Sequence, residues 1–241
     1  MSDRTARTAL VVGGTSGIGL ATARRLVDRG YDVHVAGRSA ERVKAVADLD
    51  PRLTAHQADG GDRAAIADLA AQLAPLDVLV VTLSGSLGMG TLAELDLDVL
   101  REAFDAKLWA HLTTLRAALP HLAPEASVTL LGAISAHAAM PGTAGLSALN
   151  AAVEGLVRPL AVELAPVRVN AVPPGVVDTG WWSGLPDDAR AALFEATAAA
   201  VPVRHVATAD EVAEVVALVA TNRNLSGTVV QADGGARLVS L

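Results

Sequence analysis

The chain has 241 residues, of which 51% are hydrophobic and 19% charged, with a formal net charge of −7 and no cysteine. That length suits one large α/β domain with a substantial core, and the missing cysteines exclude disulfides and thiolate catalysis. The acidic balance disfavours nucleic acid as a partner, and no apolar run approaches the roughly 20 residues that span a bilayer.

Residues 1–11 carry charge and lack the long apolar stretch of a signal peptide, so a cytoplasmic setting without a membrane partner is expected. Short β-rich runs follow at 9–12, 32–36, 53–57, 78–81, 127–131, 167–172 and 228–231. Between them lie helical patterns at about 17–29, 40–48, 62–74, 97–122, 145–165 and 208–221, with a further short helix in the Ala-rich run 190–200. Aromatic residues make up only 2% of the chain, so the interior must be built from Ala, Val and Leu. Strand–helix alternation of this kind predicts a Rossmann-type, doubly wound α/β fold, with a mainly parallel seven-stranded sheet and helices on both faces. No linker or repeat divides the chain, and residues 1–241 read as one dinucleotide-binding domain.

The binding prediction comes from the turn after the first strand, where Gly13, Thr15, Ser16, Gly17, Ile18 and Gly19 lead into a helix. Glycines at 13, 17 and 19 permit a sharp turn and bring backbone close to a pyrophosphate. The helix N-terminus adds free N–H groups and a favourable dipole. The second strand ends in Arg38 and Ser39. An acidic residue there would hold the ribose hydroxyls of NAD, whereas the planar guanidinium of Arg38 suits a 2′-phosphate. Hydroxyls of Thr15, Ser16 and Ser39 can add donors, and NADP(H) is the expected cofactor.

These features, taken in order, resemble the short-chain dehydrogenase/reductase family over nearly the whole chain, from Ala9 to the terminal Gln231-Ala232-Asp233-Gly234-Gly235. Residues 12–19 match the family's TGxxxGxG turn with Val12 replacing the threonine. The resemblance places Asp59 at the adenine and Pro174, Gly175, Val177 and Thr179 in the PGxVxT segment that holds the nicotinamide carboxamide. It implies a homodimer or homotetramer. The family's catalytic tetrad of Asn, Ser, Tyr and Lys falls instead on Lys107, Ala133, Leu146 and Asn150. Leucine and alanine offer no proton or hydrogen bond, so the family's usual acid–base route is expected to be absent. Asn150 can still hold the nicotinamide ribose, and Ser84 either contacts ribose or closes its turn.

Several residues near the vacant positions can supply a proton. Lys107 would titrate near neutral pH if buried, and otherwise faces solvent or a helix partner. Ser135 and His137 lie just beyond Ala133 on a loop that borders the substrate in the family; a surface-loop identity for the histidine stays open. Trp181 and Trp182 open a substrate lid expected at about 178–205 and, with Ala133 and Leu146, would line a pocket for a bulky apolar substrate. Packing of the lid on its own core, or a subunit contact, accounts for the two indoles equally well. The other histidines show no metal-ligand spacing, so no metal is expected. The function expected is an atypical NADP(H)-dependent oxidoreductase acting on a bulky carbonyl or conjugated small molecule. A non-redox cyclase, dehydratase or isomerase in the same cavity, or a silent dinucleotide-binding scaffold subunit, stands beside it.

Overall fold

The computed structural model describes residues 6–85 and 88–239. Residues 1–5, which contribute to the expected absence of a signal peptide, lie outside the described residues. Seven elements precede the middle of the chain: β1 (Arg7–Val12), α1 (Gly17–Asp28), β2 (Tyr31–Gly37), α2 (Ala40–Leu49), β3 (Thr54–Gln57), α3 (Arg63–Leu73) and β4 (Leu76–Val81). They are followed by α4 (Leu97–Phe104), α5 (Ala110–Ala118), β5 (Leu122–Leu131), α6 (Ala144–Gly155), α7 (Val157–Glu163) and β6 (Arg168–Val172). The remainder comprises β7 (Val177–Asp178), α8 (Asp187–Ala200), β8 (Ala207–Thr208) and α9 (Ala209–Thr221).

Six strands form one parallel sheet in the order β3-β2-β1-β4-β5-β6. Alternation along β1 sends Ala9 and Val11 to one face, where α1, α2 and α9 pack, and Leu10 and Val12 to the other, against α3, α5, α6 and α7. Both faces are therefore buried, which explains why the strands read as nearly continuous apolar runs. The strand order reverses between β1 and β4, so their carboxyl ends open the crevice in which ligands of such sheets bind.

The structure corrects three expectations. The seventh strand at 228–231 is absent as a strand: it touches β6 and the following segment only through isolated bridges, Ala171 to Val229 and Pro174 to Ala232. The Asn170 side chain explains the break, because its Oδ1 accepts the Thr228 N–H at 3.2 Å and its Nδ2 donates to the Leu225 carbonyl at 2.9 Å. A side chain here takes a place that a backbone group would fill in a continuous ladder.

The helix expected at 97–122 is interrupted by a π-helical turn, Asp105–Trp109, and ends in a 3₁₀ turn at Leu119–His121. The helix expected at 145–165 splits at Leu156 into α6 and α7. Pro159 has no N–H to donate back to Gly155 and crowds its carbonyl, which accounts for that break. Among the described residues, no helix is long and apolar enough to cross a membrane.

Candidate functional site

The glycine turn is closed by contact with the end of β4. Gly13 has φ +88°, and a Cβ there would lie 2.6 Å from Thr82 Oγ1. A Cβ on Gly19 would meet Thr82 Oγ1 at 2.6 Å and collide with the Gly13 carbonyl. Thr82 is itself fixed, donating from its N and its Oγ1 to the Val12 carbonyl at 2.8 and 3.0 Å. The site's floor is thus glycine backbone packed directly against Thr82. A Gly19→Ala variant is expected to lose about 2 kcal/mol of unfolding free energy from this overpacking, read by urea denaturation. An unchanged midpoint would show that the turn has room to spare.

Ser16 precedes α1 with no side-chain cap, and the first turn of that helix holds no acidic residue. Its leading N–H groups therefore face the turn without a competing carboxylate, as a bound pyrophosphate requires. Thr179 sits on the opposite side of this opening, 3.6 Å from where a Gly17 Cβ would be. It belongs to the segment from Pro174 to Thr179, which is held by Ile134 donating to the Pro174 carbonyl at 2.8 Å and Gly175 donating to the Ala232 carbonyl at 3.3 Å. Val177 is buried at the start of β7.

At the end of β2 the Arg38 side chain is 70% exposed, with Nε 4.0 Å from Asp59 Oδ2. Ser39 caps α2, its Oγ accepting from Arg42 N at 3.2 Å, whereas Thr15 is buried. Ser84 is exposed beyond the end of β4. Arg38 and Asp59 therefore meet at one end of the crevice and Thr179 meets the glycine turn. A dinucleotide with a 2′-phosphate fits this arrangement.

The expected proton-handling residues divide into two groups. Ser135, Leu146 and Asn150 form one hydrogen-bonded cluster: Asn150 Nδ2 donates to Ser135 Oγ and to the Leu146 carbonyl, both at 3.0 Å. Ser135 Oγ donates to the Leu146 carbonyl at 3.3 Å, so its hydroxyl is committed to fixing the loop on α6. Asn150 Oδ1 is buried without a partner among the described residues, an acceptor of the kind that a ligand hydroxyl satisfies.

Lys107 is not on a solvent face. The π-helical turn brings it inward, 5% exposed, with Nζ donating to the Gly132 carbonyl at 3.2 Å, one residue before Ala133. Burial pulls its pKa from 10.5 down to about 8, against the opposing field of Glu154. His137 is two-thirds covered, and its Nε2 lies 2.7 Å from Glu154 Oε2, directing the ring toward α6.

Two residues that the sequence reading passed over complete this region. His111 is fully buried one turn after Lys107, its Nδ1 2.7 Å from the Lys107 carbonyl. Desolvation, then the Lys107 charge, drives its pKa down to about 3. Glu154 lies one turn after Asn150, and burial raises its pKa. Four-residue spacing from a singled-out position was the available signal for both.

The paired tryptophans follow Thr179 on a 3₁₀ turn, Gly180–Gly184. Their rings meet edge to face at 4.4 Å, and Trp182 also packs on Phe194 of α8 at 6.3 Å and donates from Nε1 to the Val177 carbonyl at 2.9 Å. Trp182 thus packs within its own segment, while Trp181 remains 42% exposed. Among the described residues, no group of three or more histidine, aspartate or glutamate side chains could hold a metal ion.

A family model described as enoyl-(acyl carrier protein) reductase matches residues 12–237. The chain is 34% identical to cis-4-hydroxycyclohexanecarboxylate dehydrogenase of Sinomonas cyclohexanicum, covering 95% of this chain and 96% of the relative. It is 30% identical to 2-(R)-hydroxypropyl-CoM dehydrogenase of Xanthobacter autotrophicus, over 89% and 91% of the two chains. A solved small-chain dehydrogenase in complex with NADPH superposes with a TM-score of 0.85 at 30% identity, over 97% of this chain and 99% of that one.

Proposed function

Because the chain belongs to the short-chain dehydrogenase/reductase family of oxidoreductases, we propose that it is an NADP(H)-dependent member with an atypical proton route, acting on a bulky apolar carbonyl or conjugated small molecule. The observation that carries the atypical part is Lys107: a buried amine with a pKa of about 8, reaching the Gly132 carbonyl beside the position where the family places its serine. The glycine turn, Arg38, Asp59 and the 174–179 segment would hold NADPH, which when bound would supply the hydride. Every other task falls to side chains of this protein.

Lys107 near its pKa gives or takes a proton at neutral pH, the condition under which a general acid–base works best. Leu146 and Ala133 present apolar surface where the family's tyrosine and serine stand, which favours an apolar substrate and keeps water out. Asn150 Oδ1, buried and unpartnered, takes a ribose hydroxyl. Ser135 holds the loop rather than the substrate. Trp181 covers the substrate from the lid, residues 178–205, while Trp182 anchors that lid to α8. Exposed Leu97 and Trp109 on α4 and the π-helical turn supply apolar surface for pairing with a second copy.

The test follows NADPH oxidation by folded protein against ketones, quinones and enones. Turnover is expected, with Lys107→Met lowering kcat by about 100-fold, the range of a positioned acid–base group. A Leu146→Tyr, Asn150→Lys pair with Ala133→Ser is expected to open the family's usual route, independent of Lys107. Tight NADPH binding without oxidation by any of the three substrate classes overturns the reading.

A further inference from the structure

Glu154 is a buried carboxyl that the proposed chemistry does not use, and its surroundings are unusual. Its Oε1 has no hydrogen-bond partner among the described residues and lies 3.2 Å from where a Gly132 Cβ would stand. Gly132 is the residue whose carbonyl accepts from Lys107 Nζ. The carboxyl therefore occupies space left by a missing side chain, on the residue that anchors the lysine. Its other oxygen contacts His137 Nε2 at 2.7 Å, and the same ring nitrogen lies 3.1 Å from Gln231 Nε2. Gln231 Oε1 is buried without a partner.

We propose that Glu154, His137 and Gln231 form a two-position proton unit whose state sets the charge of Lys107; the proposal rests on the reading of Lys107 given above. In one state a proton sits on His137 Nε2, leaving a His137 imidazolium beside a Glu154 carboxylate. In the other it has crossed the 2.7 Å contact, leaving neutral His137 with its proton on Nδ1 and a Glu154 carboxylic acid. The proton count and net charge are the same in both. Only the first places an anion near Lys107.

Gln231 accommodates each state. A bare His137 Nε2 has one lone pair, which takes the Glu154 acid proton at 2.7 Å in the second state and the Gln231 amide N–H at 3.1 Å once that proton has left to water. A protonated Nε2 donates to Glu154 Oε2, and turning the amide presents the unpartnered Gln231 oxygen to the same N–H in place of an opposing donor. His137 is 34% exposed, so its far side exchanges protons with water while Glu154 stays covered. The titratable groups facing Lys107 are His111 from α5 and Glu154 from α6, and those facing Glu154 are Lys107 and His137. His111 stays neutral through the working range and adds no switch of its own. Glu154 and His137 thus act as positioning residues, through the lysine.

The chain has two lysines, Lys44 and Lys107, so isotope-labelled lysine side chains give two NMR titrations, told apart by Lys107→Met. Moving the proton within the unit changes no proton count and gives no inflection. In the full-length protein Lys107 is therefore expected to show its own inflection and a second one where the His137–Glu154 pair loses the shared proton to water. Glu154→Gln should remove the second inflection and lower the first by about one pH unit, Glu154→Asp should retain both, and His137→Phe should move the second to a different pH. One unchanged inflection in all of these variants overturns the proposal. If Glu154→Gln fails to fold, His137→Phe and Gln231→Leu at the solvent end decide it alone: a moved second inflection supports the unit, and one at an unchanged pH overturns it. The pH profile of kcat should shift with the NMR inflection. Two inflections in a protein that never oxidises NADPH would leave the proton unit standing and remove the oxidoreductase reading.

Discussion

An Arg38→Asp variant is expected to bind NADPH about 100-fold more weakly than the parent protein, with NADH affinity rising at the same time. The guanidinium is 70% exposed at the end of β2, so it is free to form a two-pronged, charge-assisted contact with a 2′-phosphate. Its weak partner, Asp59 at 4.0 Å, does not compete strongly for it. Removing such a contact and placing a carboxylate near the phosphate together account for roughly 3 kcal/mol, the equivalent of a hundredfold change in Kd. Without a 2′-phosphate, the new carboxylate accepts from ribose hydroxyls instead. Calorimetric titration with NADPH and NADH checks both halves. Equal losses for the two nucleotides would mean that the substitution distorts the turn and that Arg38 does not select the cofactor.

The second large effect is on stability in acid. His111 is fully buried and its pKa falls from 6.5 to about 3, so the folded protein keeps it neutral where the unfolded chain protonates it. Above pH 6.5 both states are neutral and the group costs nothing. Below it the unfolded state binds the extra proton, and stability falls steadily until pH approaches 3. At pH 4 this amounts to about 3 kcal/mol, a large part of a typical domain's stability. A His111→Leu variant should lose the Lys107 carbonyl contact at every pH but should show a shallower drop between pH 7 and pH 4, by about that amount. Urea unfolding at the two pH values measures it. An unchanged drop would assign the acid sensitivity to other groups, such as His56, whose pKa burial also lowers.

The sequence by itself determined the features that arise within a few consecutive residues. Alternating apolar runs and helical periods specified a parallel sheet covered on both faces, because strand and helix patterns are local. The glycine turn was legible for the same reason: a tight turn before a helix needs glycines whatever surrounds it. Arg38 at the end of the second strand was legible because its neighbour in the site, the turn, is placed by the adjoining strand. Even here the chain pattern overreached once, since nothing local to 228–231 reveals that Asn170, far away in sequence, takes the Thr228 N–H.

Only the tertiary structure decided how the altered site handles charge. Lys107 could have faced solvent, but a π-helical turn within a long helical pattern rotates it inward. Glu154 became relevant through Gly132 and His137, each more than ten residues away along the chain. His111 became an acid-sensitive group through complete burial. Protonation energies depend on desolvation and on charges brought together by folding, and a sequence lists the titratable groups without fixing either quantity.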